Sequence, residues 1–413
     1  MFRKLWILLL ALALVVPAQA QGAPLVAFTN SSGQLIVAGA DGVTRWIVTN
    51  PGETIDPTLG YTWSPDGTRL FFAVDLGGGV SLRMGDPATM AVTEIGQAAG
   101  DVSGGQWADN GTLVFGSDAA VPGTITLNGT VGSPYTQMAR SLSPDGNNAI
   151  LLFGGRDIAL QRPDGSVNPL GPNTSELNAM WSDTAPIVAF SGQTSDGTPN
   201  LMAFNVNNDQ VAMLVGGSLP MEPIAWVPNS ASLLYRDTTG TIRFADVACL
   251  QSTCSNNPLE TGAQILPASA QNIAIAGNAV VYTEGTQLKG VPIACAQSND
   301  CGTRTVIIDS QVTSRTGVFV AGNHVVYTGF TSDANNPSDR HVRALDASCI
   351  ASGNCQPTPL VNGAIAGPLS DDGSAMVADI IGAGVHIVNL GDLSTLYLTD
   401  SGYSDVLATA RWN

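Results

Sequence analysis

Short apolar runs separated by turn residues make up nearly the whole chain. The strongest are "RLFFAVD" (69–75), "TLVFGSD" (112–118), "SLLYRD" (232–237) and "AVVYTEG" (279–285). Each is only six or seven residues long and alternates little, the pattern of a strand buried on both faces. Clusters of Gly, Pro, Asp, Asn and Ser bound the runs, and these residues favour turns for separate physical reasons. Weaker alternating runs follow each strong one, such as "VSLRMGDP" and "AVTEIG". No stretch after residue 20 sustains a helical period. The pattern therefore predicts an all-β chain.

The runs also repeat. A bulky residue ends a short strand, a tight turn follows, and the strong apolar run comes next. "YTWSPDGTRLFFAVD" (61–75) shows the unit most clearly. The bulky anchors are Trp63, Trp107, Leu142, Trp181, Trp226, Ile275, Val320, Leu369 and Trp412, and successive anchors lie 35 to 49 residues apart. A drifting period in the forties is the size of one four-stranded propeller blade. In the turn, Pro fixes φ, Asp bonds back to the backbone and Gly accepts positive φ.

The chain ends complete each other. "PLVAFTNSSGQLIVAGADGVTRWIVT" holds three strands and no inner-strand anchor, while "LATARWN" stops just after one. Together they make a single blade, and such closure removes exposed sheet edges. The expected fold is a β-propeller of four-stranded antiparallel blades, closed by shared N- and C-terminal strands. The count is nine blades. Eight is the alternative, because the interval from Trp107 to Leu142 is short. Residues 21–413 are expected to be one propeller domain.

"WSPDGTRLFF" and "SLSPDGNNAILLF" resemble the WD-like Pro-Asp repeat of TolB-type β-propellers. The resemblance covers most of the chain after the leader and is strong in two or three units. It implies a propeller that binds other macromolecules. The α/β domain that precedes the TolB propeller has no counterpart here. Later units depart from the motif, with "VPNSA" and "AGNAV" in place of "SPDGT".

Residues 1–20 read as a cleaved leader: Arg3 and Lys4, an apolar run from Leu5 to Val16, then Pro17 and Ala18-Gln19-Ala20. The run is shorter than the ~20 residues a spanning helix needs. The expected location is extracytoplasmic, either periplasmic or secreted. The net charge is −17, and loss of Arg3 and Lys4 takes it to −19. Lys and Arg are nowhere clustered, which excludes a nucleic-acid partner that would need them to displace counterions. The same charge opposes an anionic membrane surface. No membrane insertion is expected, and the partner is expected to be a protein or an extracellular glycan.

Six cysteines fall into three local pairs, Cys249/Cys254, Cys295/Cys301 and Cys349/Cys355, each between the third and fourth strands of its unit. Even count, local pairing and an export leader point to three disulfides. A zinc site is disfavoured, since its paired ligands sit closer together and no His is nearby.

Candidate chemistry is sparse. His324, His341 and His386 are the only histidines, and no G-x-S-x-G, H-E-x-x-H or P-loop pattern occurs. Acidic residues recur where the second strand ends: Asp75, Asp118, Asp237, Glu284 and Asp379. They are candidates for a carboxylate ring that binds Ca²⁺ or a cationic partner. Turn chemistry, which favours Asp where a strand enters a turn, is the preferred explanation. The longest loop on that face, 329–341, adds Asp333 and Asp339 in a setting that suits a calcium ion or a sugar. No cofactor is required. The sequence reads as a binding or scaffolding propeller without covalent chemistry. A carbohydrate-active lyase or glycosidase with its site in the propeller funnel is the alternative.

Overall fold

The computed structural model describes residues 23–413 except 58, 100–101, 110–111, 118–122, 127–130, 133–138, 145–146, 154–156, 163, 173–178, 194–196, 217–220, 253–261, 314–316 and 400–409. The expected leader lies outside the described residues.

Among the described residues the strands form nine four-stranded antiparallel sheets. Eight are consecutive along the chain. The ninth runs Arg45–Ile47, Leu35–Gly39, Leu25–Thr29, Arg411–Trp412, so its inner strand comes from the C-terminus. Val26 pairs with Trp412 and Ala27 with Arg411. The first strands contact one another in sequence around a ring, and Arg411–Trp412 touches both Ala364–Leu369 and Tyr61–Trp63. The fold is a closed β-propeller. Blades are numbered here from Tyr61–Trp63, and the closing blade is the ninth. The short interval after Trp107 is a whole blade whose outer strand is only Val131–Gly132, so nine replaces eight.

The core lies between blades. In blade 1, Leu70, Phe72 and Val74 pack against Ala27, Leu35, Val37 and Trp46 of the closing blade. Phe71 and Ala73 on the opposite face pack with Trp107 and Leu113 of blade 2. Side chains still alternate along the strand, but both faces meet apolar neighbours, which is why the sequence runs apolar without a break.

The anchor tryptophans link successive blades. In four of the five, the indole N–H donates to the carbonyl of the residue just before the preceding blade's anchor. Trp107 donates to Thr62, Trp226 to Met180, Trp412 to Pro368 and Trp63 to Arg411, at 3.4, 3.1, 3.0 and 2.9 Å. Trp181 is buried without an indole partner, and the first strand before it is bulged between Ala139 and Ser141. At the turns, Asp66 accepts from the Ser64 hydroxyl (2.6 Å) and the Thr68 amide (3.0 Å), while Gly67 takes φ +68°.

Blades 6 and 7 carry Ile275 and Val320 as anchors and so lack this indole link. Disulfide loops serve there. Cys295–Cys301 and Cys349–Cys355 are bridged, with Cα separations of 4.8 and 5.1 Å. Cys249 is also disulfide-bonded, and Cys254 lies outside the described residues. Each loop folds into short helical turns that lean on the preceding blade. Cys295, Ala296 and Cys301 join the Leu234–Leu266 core of blade 5. Ile350 packs into the core of blade 6, so close to Gly290 that a Cβ there would stand 2.6 Å from its Cδ1. In blade 5, the Leu250 carbonyl accepts from Asn205 and Asn208 of blade 4, both at 2.9 Å. Replacing Cys349 and Cys355 with Ser is expected to lower stability by about 2 kcal/mol on the chain-entropy model. Denaturant melts read the loss, and hydrogen exchange should show it first along the blade 6–blade 7 seam. Loss confined to the loop itself would contradict the inter-blade role.

Candidate functional site

The antiparallel order puts the second-to-third and fourth-to-first connections on one face of the disc. The start of Leu25–Thr29, Asn413 and the described parts of the disulfide loops lie on the other. The recurrent acids are on the first face, but not as an open ring. Asp75 accepts the Gly77 amide at 2.7 Å within its own turn. Asp237 accepts the Thr239 and Thr241 amides at 2.8 and 3.0 Å and pairs with Arg243 at 2.5 Å. Glu284 pairs with Lys289 at 2.6 Å and accepts from the Ser269 hydroxyl. The Lys289 ammonium, then that hydroxyl, hold the Glu284 carboxyl below the usual range. Asp379 is only 2% exposed, and its Oδ1 has no partner. Burial pushes its carboxyl up, with His386 acting in the opposite sense. Asp118 lies outside the described residues. Among the described residues, no group of three or more His, Cys, Asp or Glu side chains is placed to hold a metal ion.

A pattern that sequence reading missed organises this face. The third strand shifts register against the fourth at the same depth in several blades, between Leu82/Arg83, Ile242/Arg243, Leu288/Lys289 and Val342/Arg343. A bulge re-aims the side chain it carries. Each of these cations stands opposite an aromatic residue of the second strand: Phe72, Tyr235, Tyr282 and Tyr327. Each also finds a carboxylate: Glu53, Asp237, Glu284 and Asp309. The signal was present in "YRDTTGTIR" and "YTEGTQLK", and emerges only when blades 5 and 6 are aligned on their tyrosines.

Blade 7 buries this arrangement most deeply. Asp309 is 8% exposed. Its Oδ2 accepts from the fully buried Tyr327 hydroxyl at 2.9 Å and from Arg343. Its Oδ1 accepts the Gln311 amide at 3.0 Å. Burial, then the Asp309 charge, push the Tyr327 phenol far above its ordinary value.

Above this network sits the long loop. Strands end at Phe330 and resume at Arg340, so the loop is 331–339, shorter at each end than the sequence suggested. It is a built structure. The Asp339 carboxylate accepts from the Ser332 hydroxyl and, at 3.1 Å, from the Asp333 amide. Asp333 accepts the Asn335 amide (2.9 Å), and Asn336 accepts the Ser338 amide (3.1 Å). Gln311 reaches over to the Thr331 carbonyl at 2.7 Å. Both loop carboxylates thus serve the loop's own donors, while Ser332, Asp333, Asn335, Asn336 and Ser338 remain exposed.

The histidines do not converge. His324 lies beside Gly373 of blade 8 on the opposite face. His386 stacks edge-on to Tyr397, with ring centroids 5.6 Å apart. His341 lies under the loop, with Nδ1 3.3 Å from the Asp339 carbonyl.

The fold and this face define a β-propeller with a preorganised polar loop surface. No family model and no curated protein matches the sequence. Solved structures that resemble it include an oligogalacturonate lyase in complex with manganese (13% identity, TM-score 0.38, 91% of this chain and 84% of that one). Others are an oligogalacturonate lyase from Vibrio parahaemolyticus (10%, 0.43, 90% and 99%) and TolB from Acinetobacter baumannii (18%, 0.32, 55% and 61%). The propeller assignment rests on the strand pairing above, not on these likenesses. Among the described residues no helix is long and apolar enough to cross a membrane.

Proposed function

We propose that this chain is an exported recognition propeller of TolB-like type, which holds a protein or extracellular glycan partner on the 331–339 face without a covalent step. One observation carries the reading: the loop is internally hydrogen-bonded and anchored to the scaffold through Gln311, yet presents a row of exposed amide, hydroxyl and carboxylate groups. A loop ordered before binding loses less entropy when it binds. Polar groups on a rigid disc suit hydrogen-bond recognition of sugars or polar peptide segments. Export is supported by the leader pattern at residues 1–20 and by the disulfides.

The test is surface plasmon resonance of the mature chain against a panel of soluble glycans and purified envelope proteins. Asp333→Ala, Asn335→Ala and Asn336→Ala together should weaken binding of any hit at least about tenfold, the equivalent of one or two lost hydrogen bonds to a charged or polar group. Melting should be unchanged. Equal binding by the variant would sink the loop-face reading. New reducing or unsaturated ends on a bound glycan would establish the enzyme alternative instead.

A further inference from the structure

We propose that His341 is a proton-operated latch on the 331–339 loop: neutral, the ring stays buried beneath the closed loop, and protonated, it gains an unbonded N–H there that favours the open loop.

The geometry defines one tautomer. A neutral imidazole that bonds the Asp339 carbonyl through Nδ1 must carry its proton there and leave Nε2 as a bare lone pair. His341 is 7% exposed, and Nε2 has no partner among the described residues. The Nε2 edge of the ring stands at Gly329, its cross-strand neighbour, where a Cβ would lie 2.8 Å from Nε2 and 3.3 Å from Cδ2. Gly329 is therefore the gap that the imidazole fills. Protonation adds an N–H at Nε2, in a buried place where no acceptor bonds it. The Gln311 carbonyl, which accepts the Phe330 amide at 2.9 Å, faces the same space but makes no bond to Nε2.

The charged surroundings do not rescue the imidazolium. On its own strand, Arg340 and Arg343 flank it. Across from it, Tyr327 is neutral and fully buried. From the fourth strand of blade 6, Asp309 is the nearest anion, but Arg343, Tyr327 and the Gln311 amide already occupy both its oxygens. From the loop, Asp339 and Asp333 direct their carboxylates to Ser332, Asp333 N–H and Asn335 N–H. Desolvation, then Arg343, lower the His341 pKa, with the Asp339 carbonyl and Asp309 opposing more weakly. A released loop returns the ring to water and to an ordinary value of about 6.5. The released state thus binds the proton more readily. The latch is fully set above that value and loosens as pH falls through it toward the depressed one.

The consequence for binding rests on the function proposed above, but the loop's response to pH does not, and the experiment reads only the loop. Hydrogen exchange at 331–339 in the full chain, corrected for intrinsic rate, should quicken several-fold between pH 7 and pH 5, because the open form takes up the proton more readily. His341→Phe, which still covers Gly329, should remove the pH dependence whatever its basal rate. A flat wild-type profile, or a variant that keeps the dependence, overturns the latch. Should the variant not fold, NMR decides on the wild type, which has only three histidines. His341 must titrate below the ordinary range, and the loop amides must follow the same midpoint. An ordinary midpoint, or loop signals that ignore it, overturns the proposal. Loss of glycan or protein binding with the latch intact would count against the proposed function alone.

Discussion

Trp412→Ala is expected to destabilise the protein by about 3–5 kcal/mol, the usual range for emptying a buried tryptophan site. Trp412 does three things at once. Its ring fills the seam between the closing blade and blade 8 with Val26, Phe28, Val377 and Ile387. Its indole donates to the Pro368 carbonyl at 3.0 Å. Its backbone pairs with Val26 in the strand that shuts the ring. The adjacent Arg411 carbonyl receives Trp63, and Asn413 exchanges bonds with Leu25 through both its amide and its side chain. Loosening this strand exposes the inner edge of Leu25–Thr29, so aggregation should accompany the loss. Urea melts with light scattering check both. Trp412→Phe keeps an aromatic ring in the seam but loses the hydrogen bond and part of the bicyclic volume, so it should cost less than the Ala change, about 1–3 kcal/mol. Trp181, whose indole has no acceptor, should tolerate Phe better still. If Trp412→Ala and Trp181→Phe prove equally mild, the ring of anchors does not hold the blades together.

The repeat made most of the fold legible. Anchor spacing located all nine first strands, and the unmatched chain ends foretold the shared blade, because both features come from local periodicity. Two of the cysteine pairs, Cys295–Cys301 and Cys349–Cys355, were legible for the same reason: they recur at one place in the unit. What the sequence hid was contact between units. Nothing in "CIASGNC" says that Ile350 packs on Gly290 of the previous blade. The site was less legible still. Asp237 and Glu284 look free in a one-dimensional reading, since their partners Arg243 and Lys289 lie on the next strand and reach them only through a bulge. Asp309 was passed over because it ends a fourth strand, while its partners Tyr327 and Arg343 belong to the following blade. The Asp339 carboxylate, proposed as a ligand group, turned out to organise its own loop.

Asp309→Ala should be the most damaging change near the loop, at about 3–5 kcal/mol, because it breaks a buried charge pair from one side only. The Tyr327 hydroxyl, with no exposed surface, would lose its acceptor, and the Arg343 guanidinium, 25% exposed, would keep its charge with no counterion. The loop entry at Gln311 would also lose the carboxylate that receives its amide. Glu284→Ala offers the comparison within the same pattern. Its pair with Lys289 is 19–29% exposed and sits at a surface turn, so water can replace either partner, and the expected loss is below about 1 kcal/mol. Removing both charges in blade 7, Asp309→Leu with Arg343→Met, should recover much of what Asp309→Ala loses, because no uncompensated charge then remains. A double-mutant cycle by urea denaturation measures the coupling. A cycle that closes near zero would mean that the two charges act separately and that Tyr327 alone positions Asp309. Coupling above about 1 kcal/mol would identify the ion pair as the support on which the loop face is built.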